Sequence, residues 1–597
     1  MLKIRGNVFF LLFMAFSVLS FAEETNTIFQ RIVVTKNRAA ETGIYSLTQN
    51  SLQQLPFNSP VEALSITLLN LQARSPVNSI QADFSLRGSN FQGVSVLING
   101  QRINDPQTGH HNSDIPLTKE DILNIDVLSG VSSLGFGPDA IGGAVNFVTK
   151  RPEERKVVLE LSGGEYGSFG QLFSVSDKIR NLGLRFSVEN SGSKGFSEDT
   201  DFKKFTAGMV SSLDLPSGSF DLDFGYQEKE FGAYDFYTPG MGYPSKEWTR
   251  TYLLNSSLNI NKGDLIIKPK FLWRRHFDKF MLDKTQVRSN YLARHHTDIY
   301  TPGVYFNKRD TLLGNLGLGL EYTEEKIKST SLGKHSRNQE SIFIDDDYRI
   351  NDLVSLNSVF RIDNYDGKDI SYTGAAKLLF EIKEASFVHL GISRAMRIPS
   401  FTELYYDDPT TVGNPVLSPE KSLTYEAGYA YRQSKFSLSS VIFLREEDGF
   451  IDWVKPSPAQ ARWEAANISS SVVFGVEENI QYEFCRWLSL KANYAYTNRT
   501  KDDNGYLYKY GDNYSRHLTS LISIFRFGFG SQEMGFTYKK TPSRNGWILV
   551  HARLNYNLNR HSKFFLSANN IFNVEYQEIS GIPSPGRWVE GGLRLEW

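Results

Sequence analysis

Residues 181–189 read Asn-Leu-Gly-Leu-Arg-Phe-Ser-Val-Glu, which puts Leu182, Leu184, Phe186 and Val188 on one side of an extended chain. Small, polar or charged residues fall on the other side, a period of two that marks a strand with one apolar face. The pattern returns in Phe220, Leu222, Phe224 and Tyr226, in Leu265, Ile267, Phe271 and Trp273, and in Val589, Gly591, Leu593, Leu595 and Trp597. It sets in near Lys156 and persists to the last residue. A sheet with lipid on one side and water on the other alternates in this way, with aromatics near the interfaces. A soluble β-helix or propeller would also alternate, but the chain has no short fixed-period repeat.

Composition narrows the class. With 65 basic and 66 acidic residues in 597, the charge balance gives no reason to expect nucleic acid as a partner. Mean hydropathy is −0.34, and beyond the N-terminus no apolar run reaches about 18 residues, so a helical membrane bundle is excluded. A membrane barrel survives that test because only alternate residues meet lipid. Cys485 is the single cysteine and cannot form an intramolecular disulfide. Roughly 440 residues follow Lys156, and about 20 per strand with its connection gives about 22 strands. A lumen of that size is too wide for its own side chains to fill.

The filling is encoded upstream. Asp83–Lys150 contains four- to six-residue apolar runs separated by Gly88, Gly93, Gly100, Gly130, Gly135, Gly137, Gly142 and Gly143, the texture of short, tightly turned strands. Alone such a unit buries too little surface for comfort. Before it, Pro60–Leu69 predicts an amphipathic helix capped by Asn58 or Ser59. Met1–Ala22, with Lys3, Arg5, an apolar run and Ala22 before Glu23, predicts a cleaved secretory signal peptide. The tail that follows carries Ile32-Val33-Val34-Thr35, which as residues alone fits either an edge that pairs with a partner's sheet or an ordinary first strand. The fold class expected is an all-β transmembrane barrel of about 22 antiparallel strands with an N-terminal α+β plug domain in its lumen. The expected domains are a signal peptide (1–22), a periplasmic tail (23–40), a plug (41–152) and the barrel (153–597).

Turn-rich insertions interrupt the alternation at Phe231–Arg250, Arg274–His296, Pro399–Glu420 and Lys501–Asn513, consistent with long loops on one face. Tyr234, Phe236 and Tyr237 in the first are suited to gripping an apolar or ring-bearing ligand, or to packing the loop. His110-His111 and His295-His296 do not make two-ligand sites by themselves, because neighbours on an extended segment point to opposite sides. No metal site, cofactor or catalytic residue is assigned. The chain has no Gly-x-Ser-x-Gly elbow, His-Glu-x-x-His or phosphate loop.

Leu86-Arg87-Gly88 followed by residues 94–102 (VSVLINGQR), and Ile125–Gly130 followed by Asp139–Asn146, resemble the two plug motifs of the TonB-dependent outer-membrane receptors. Arg397–Tyr405, Gly413-Asn414-Pro415, Pro419-Glu420, Tyr425-Glu426, Asn569–Phe572, Tyr576 and Pro585-Gly586-Arg587 fit the barrel of the same family, within its cobalamin-receptor-like group. The resemblance implies that Gln30, Arg31, Ile32, Val33, Val34, Thr35 and Lys36 form the TonB box, which recruits TonB and its inner-membrane energising complex. It departs from the pattern at Arg31 and Lys36, and at Ser129, where the family tends to place an Arg. That departure leaves Arg87 to make the plug–barrel contacts, with Glu420 or Glu426 as partners. It also implies that the loop Asn104–Asp114 faces the ligand, so Gln107, His110 and His111, with Asn90, Phe91 and Gln92 nearby, are ligand-contact candidates. No His lies between Arg397 and Gly413, which argues against haem. The ligand implied is cobalamin or another corrinoid, with a ferric siderophore second. Outer-membrane lipid and, through the strand ending in Trp597, the barrel assembly machinery are the other implied partners. An outer-membrane enzyme and a passive porin are the rival classes; a porin would lack both box and plug.

Overall fold

The computed structural model describes residues 43–75, 79–238, 240–286, 292–367, 369–501 and 505–597. The signal peptide, the tail and the TonB box lie outside the described residues. Among the described residues, 22 long antiparallel strands close into a barrel, from Lys156–Gly164 to Trp588–Glu596, and these two strands pair with each other (Leu159 opposite Leu595). Thr411–Val412 and Leu507–Tyr508 are two-residue strands within loops and do not add to the wall.

The strands form because alternate side chains meet two different media. In Leu182–Ser193, Leu184 and Phe186 are 41% and 49% exposed on the outer wall, whereas Arg185 and Ser187, which alternate with them, are buried against the lumen contents. Connections alternate in length. Two-residue turns such as 216–217, 263–264 and 312–313 lie at one end, and long loops such as 398–419 and 570–587 at the other. Two of the expected insertions are shorter than the sequence suggests. Leu265–Met281 and Leu292–Thr311 carry regular strand through most of 274–296, and Lys246–Lys262 begins within 231–250. The stretch Arg274-Arg275-His276-Phe277-Asp278 looks like loop because its inward positions are charged, but those positions face a polar plug rather than an apolar core.

The plug strands are β1 (Ile44–Thr48), β2 (Asn70–Ser75), β3 (Gln81–Ser85), β4 (Val94–Ile98), β5 (Gln101–Arg102), β6 (Ile122–Ser129) and β7 (Gly143–Thr149). Five of them form one sheet in the order β1-β6-β7-β4-β5, and β2 and β3 stand beside it as a hairpin. The helix lies elsewhere than expected. Gln49–Gln54 forms α1, capped by Thr48, while Pro60–Leu69 contains only a 3₁₀ turn at Glu62–Ile66. Ala63, Leu64, Ile66 and Leu69 are buried while Glu62, Ser65 and Leu68 are half-buried at intervals of three, the spacing that a 3₁₀ turn stacks on one side. The plug's apolar cluster, including Leu64, Phe84, Val96, Ile98, Ile125 and Phe147, continues into Leu253, Leu272, Ile522 and Ile524 of the wall. The barrel supplies the cover that a unit of this size lacks.

Candidate functional site

Three buried polar assemblies join plug to wall. The first centres on Arg87, which follows β3. Its Nε and Nη2 donate to Glu477 Oε1 and Oε2 at 3.0 and 2.7 Å, and Nη1 donates to Glu426 Oε2 at 2.8 Å. The guanidinium lies 4.3 Å over the Phe443 ring, and the Arg87 carbonyl accepts from Arg445 Nη2 at 2.9 Å. Ser129 Oγ donates to Glu477 Oε2 at 3.2 Å, and His389 Nε2 lies 3.1 Å from Glu426 Oε1. Arg87 has φ 49°, a conformation that an L residue rarely adopts and that over-determined surroundings must hold. Gly130, φ 57°, packs beside this cluster; a Cβ there would strike the Glu426 carboxylate and the Arg87 guanidinium. A side chain at 130 and the ion cluster exclude each other.

The second assembly clamps a barrel loop onto the plug apex. Phe401–Tyr405 forms α2, with Ser400 and Glu403 in a reciprocal capping box. The Phe401 and Thr402 N–H groups donate to the Pro106 and Gln107 carbonyls at 2.9 and 3.1 Å, and Gln92 Nε2 donates to Ser400 Oγ at 3.0 Å. Arg397 secures the helix through Glu403, at 2.9 and 3.1 Å, and Glu420, at 2.5 Å.

The third lies under the apex loop. Asp105 pairs with Arg274 Nη1 (2.6 Å) and lies 3.2 Å from His276 Nδ1; Asp114 pairs with Lys229 (2.6 Å) and His276 Nε2 (3.0 Å). Burial opposes charge on both carboxylates, but Arg274 and His276 for Asp105, and Lys229 and His276 for Asp114, hold them well below the usual range. His111 Nε2 lies 3.5 Å from Asp278 Oδ2 and 4.0 Å from Glu247 Oε1. Beside these, His110 stacks on Phe91 with ring centroids 4.1 Å apart and lies 2.7 Å from Asp83 Oδ1. Tyr237 and Tyr510 close around it, their centroids 5.7 and 6.3 Å from the His110 ring.

The residues singled out from sequence therefore fall into distinct places. Phe91, Gln92, Gln107, His110, His111 and Tyr237 come together at the apex, His110 and His111 facing different surroundings. Asn90 accepts the Gln92 N–H at 3.0 Å within its own turn. Phe236 packs with Phe202, Phe231 and Trp588 beneath the loop, and Tyr234 donates its N–H to the Asp199 carbonyl at 3.4 Å. Glu426 partners Arg87, but Glu420 does not: it pairs with Arg397 and accepts from the Ile451 N–H. Glu477 supplies the second carboxylate to Arg87. It is 390 residues away in sequence and lies on an ordinary alternating strand, so no local signal marks it.

A family model described as TonB dependent receptor-like, beta-barrel, matches residues 161–571, and one described as TonB-dependent Receptor Plug Domain matches residues 36–144. The chain is 24% identical over 470 residues to the Vitamin B12 transporter BtuB of Photobacterium profundum, covering 75% of each. It is 22% identical over 604 residues to the Vitamin B12 transporter BtuB of Vibrio vulnificus (strain YJ016), covering 94% of this chain and 93% of that one. Among solved structures, a ferric enterobactin receptor mutant from Pseudomonas aeruginosa in complex with enterobactin superposes with a TM-score of 0.78 at 15% identity, covering 93% of this chain and 100% of that one. The siderophore receptor PirA from the same species gives 0.72 at 16%, covering 93% and 99%. These structural likenesses speak to fold.

Proposed function

Since the chain belongs to the TonB-dependent receptors of the bacterial outer membrane, we propose that it imports a corrinoid such as cobalamin, using energy delivered from the inner membrane. The observation that carries the ligand is the likeness to vitamin B12 transporters along 94% of the chain. The plug fills the lumen, so a bound ligand passes only when the plug shifts or partly unfolds. The box at Gln30–Lys36 is the handle for TonB. Phe91, His110 and Tyr237 at the plug apex, with Gln92 and Gln107, are the proposed contacts for a flat ring-bearing ligand; Phe91, His110 and Gln107 are buried here, so a ligand meets them only when the loops above shift. Asn90, His111, Tyr234 and Phe236 take part through the loops they brace.

Binding of cobalamin and of a ferric-siderophore panel to the purified receptor tests the ligand. Cobalamin binding at about micromolar concentration is expected, near −8 kcal/mol; failure of cobalamin while an iron chelate binds overturns the corrinoid reading and leaves a siderophore receptor. Deleting Gln30–Lys36 is expected to abolish uptake while surface binding is retained. Uptake at the wild-type rate in that deletion would refute the energised mechanism.

A further inference from the structure

Under the apex loop, the two halves of the buried charge network are unlike each other. Asp105 and Asp114 each face a cation of the wall, Arg274 and Lys229. Glu247 and Asp278, on the neighbouring strands Lys246–Lys262 and Leu265–Met281, are equally buried and pair with no Lys or Arg among the described residues. The groups that face them are imidazoles, His111 for both and His295 for Asp278. Two carboxylates held against imidazoles alone, with no permanent cation, leave the group short of positive charge, an arrangement that buried carboxylates tolerate poorly.

The distances point the same way. The ligand atoms of His111, Glu247 and Asp278 all lie within 4.8 Å of one another. His111 Nε2 is 3.5 Å from Asp278 Oδ2 and 4.0 Å from Glu247 Oε1, and His295 Nε2 is 3.9 Å from Asp278 Oδ2. These are longer than good hydrogen bonds. They approach the separation of about 3.4 Å between neighbouring ligands on a tetrahedral ion with bonds of about 2.0–2.2 Å. Asp278 Oδ1 and His295 Nδ1 are buried and have no hydrogen-bond partner among the described residues. Outer contacts that would orient the ligands are in place: Gln107 Nε2 donates to Asp278 Oδ2 at 3.2 Å, and Tyr237 OH to Glu247 at 3.2 Å.

We infer that His111, Glu247 and Asp278, with His295 beside them, form a site for a divalent transition-metal ion that fastens the plug apex loop to two strands of the barrel wall. One imidazole and two carboxylates suit zinc among such ions. The other grouping, His111 with Asp114 and His276, is less suited, because Lys229 already neutralises Asp114, its single acid. The ion is a resident fastener, distinct from the imported ligand.

The test uses the full-length receptor in detergent, stripped with a chelator and titrated with zinc by calorimetry, with metal content read by mass spectrometry. About one equivalent is expected at micromolar affinity or tighter, with binding weakened at least about tenfold in Glu247→Gln and in Asp278→Asn. Heat-modifiable migration on gels shows that each variant has folded as a barrel. A measurement on the unaltered protein stands beside the variants: crystals soaked in zinc are expected to show an anomalous peak at His111 Nε2. Well under one equivalent bound, unchanged affinity in both folded variants, or a peak only at other histidines overturns the inference.

Discussion

Replacing Arg87 with Met removes the guanidinium that Glu426 and Glu477 share and keeps most of its apolar stem. Both carboxylates would then remain buried beside an uncharged side chain, with Ser129, His389 and wall groups as their remaining contacts. Breaking a buried pair by deleting one partner costs about 3–5 kcal/mol. When the plug moves away, the two carboxylates regain water, so the cost falls almost wholly on the plug-seated state. At about 1.4 kcal/mol per factor of ten, the displaced plug should become roughly 10²- to 4 × 10³-fold more populated. Hydrogen–deuterium exchange of peptides covering β6 and β7 in the purified receptor reads that population directly, and antibiotic leakage through the outer membrane reads it in cells. Adding Glu426→Gln and Glu477→Gln to the same chain should restore most of the protection, because a neutralised set no longer carries unpaired charge. Exchange that rises less than about tenfold in the single variant would refute the reasoning. So would a triple variant as leaky as the single one, which would trace the effect to lost packing.

Gly130→Ala forces a Cβ at φ 57° into the same cluster; it should cost at least about 1–2 kcal/mol, seen as a lower denaturant midpoint for the plug, and an unchanged midpoint would count against the geometry. Ser400→Ala removes the cap of α2 and the acceptor for Gln92. A loss of about 1 kcal/mol should raise exchange in the loop 398–419 roughly fivefold while leaving β6 and β7 protected.

Much of this architecture could be read from the residues, and the reasons are specific. Leu182, Leu184 and Phe186 announce a membrane wall because lipid demands one apolar face and accepts no exception over many strands. The plug declared itself through glycine punctuation and insufficient size. The contacts between the two were harder. Arg87 with Glu426 was accessible through a resemblance, whereas Glu477 sits where any lumen-facing polar residue would, and Glu420 was diverted by Arg397. His276 and Asp278 were concealed for a related reason. On the inner face of a filled barrel the solvent is another domain, so the usual link between polarity and loops fails there. The 3₁₀ turn at Glu62–Ile66 replaced a longer helix because packing of Ala63, Leu64, Ile66 and Leu69 into the plug core overrode local propensity.

The seam between β1 and β6 has a mechanical meaning. Ser129 N–H donates to the Gly43 carbonyl at 2.8 Å, and Ile44 sits opposite Leu128. Among the described residues Gly43 is the first to meet the sheet, so within them traction along the backbone reaches this bond before any other in the ladder. Ser129 also touches Glu477, and the next residue is Gly130. One hydrogen bond therefore separates the entry point of a pull from the Arg87 cluster, and a short stroke would disturb the latch before it has unravelled a single full strand.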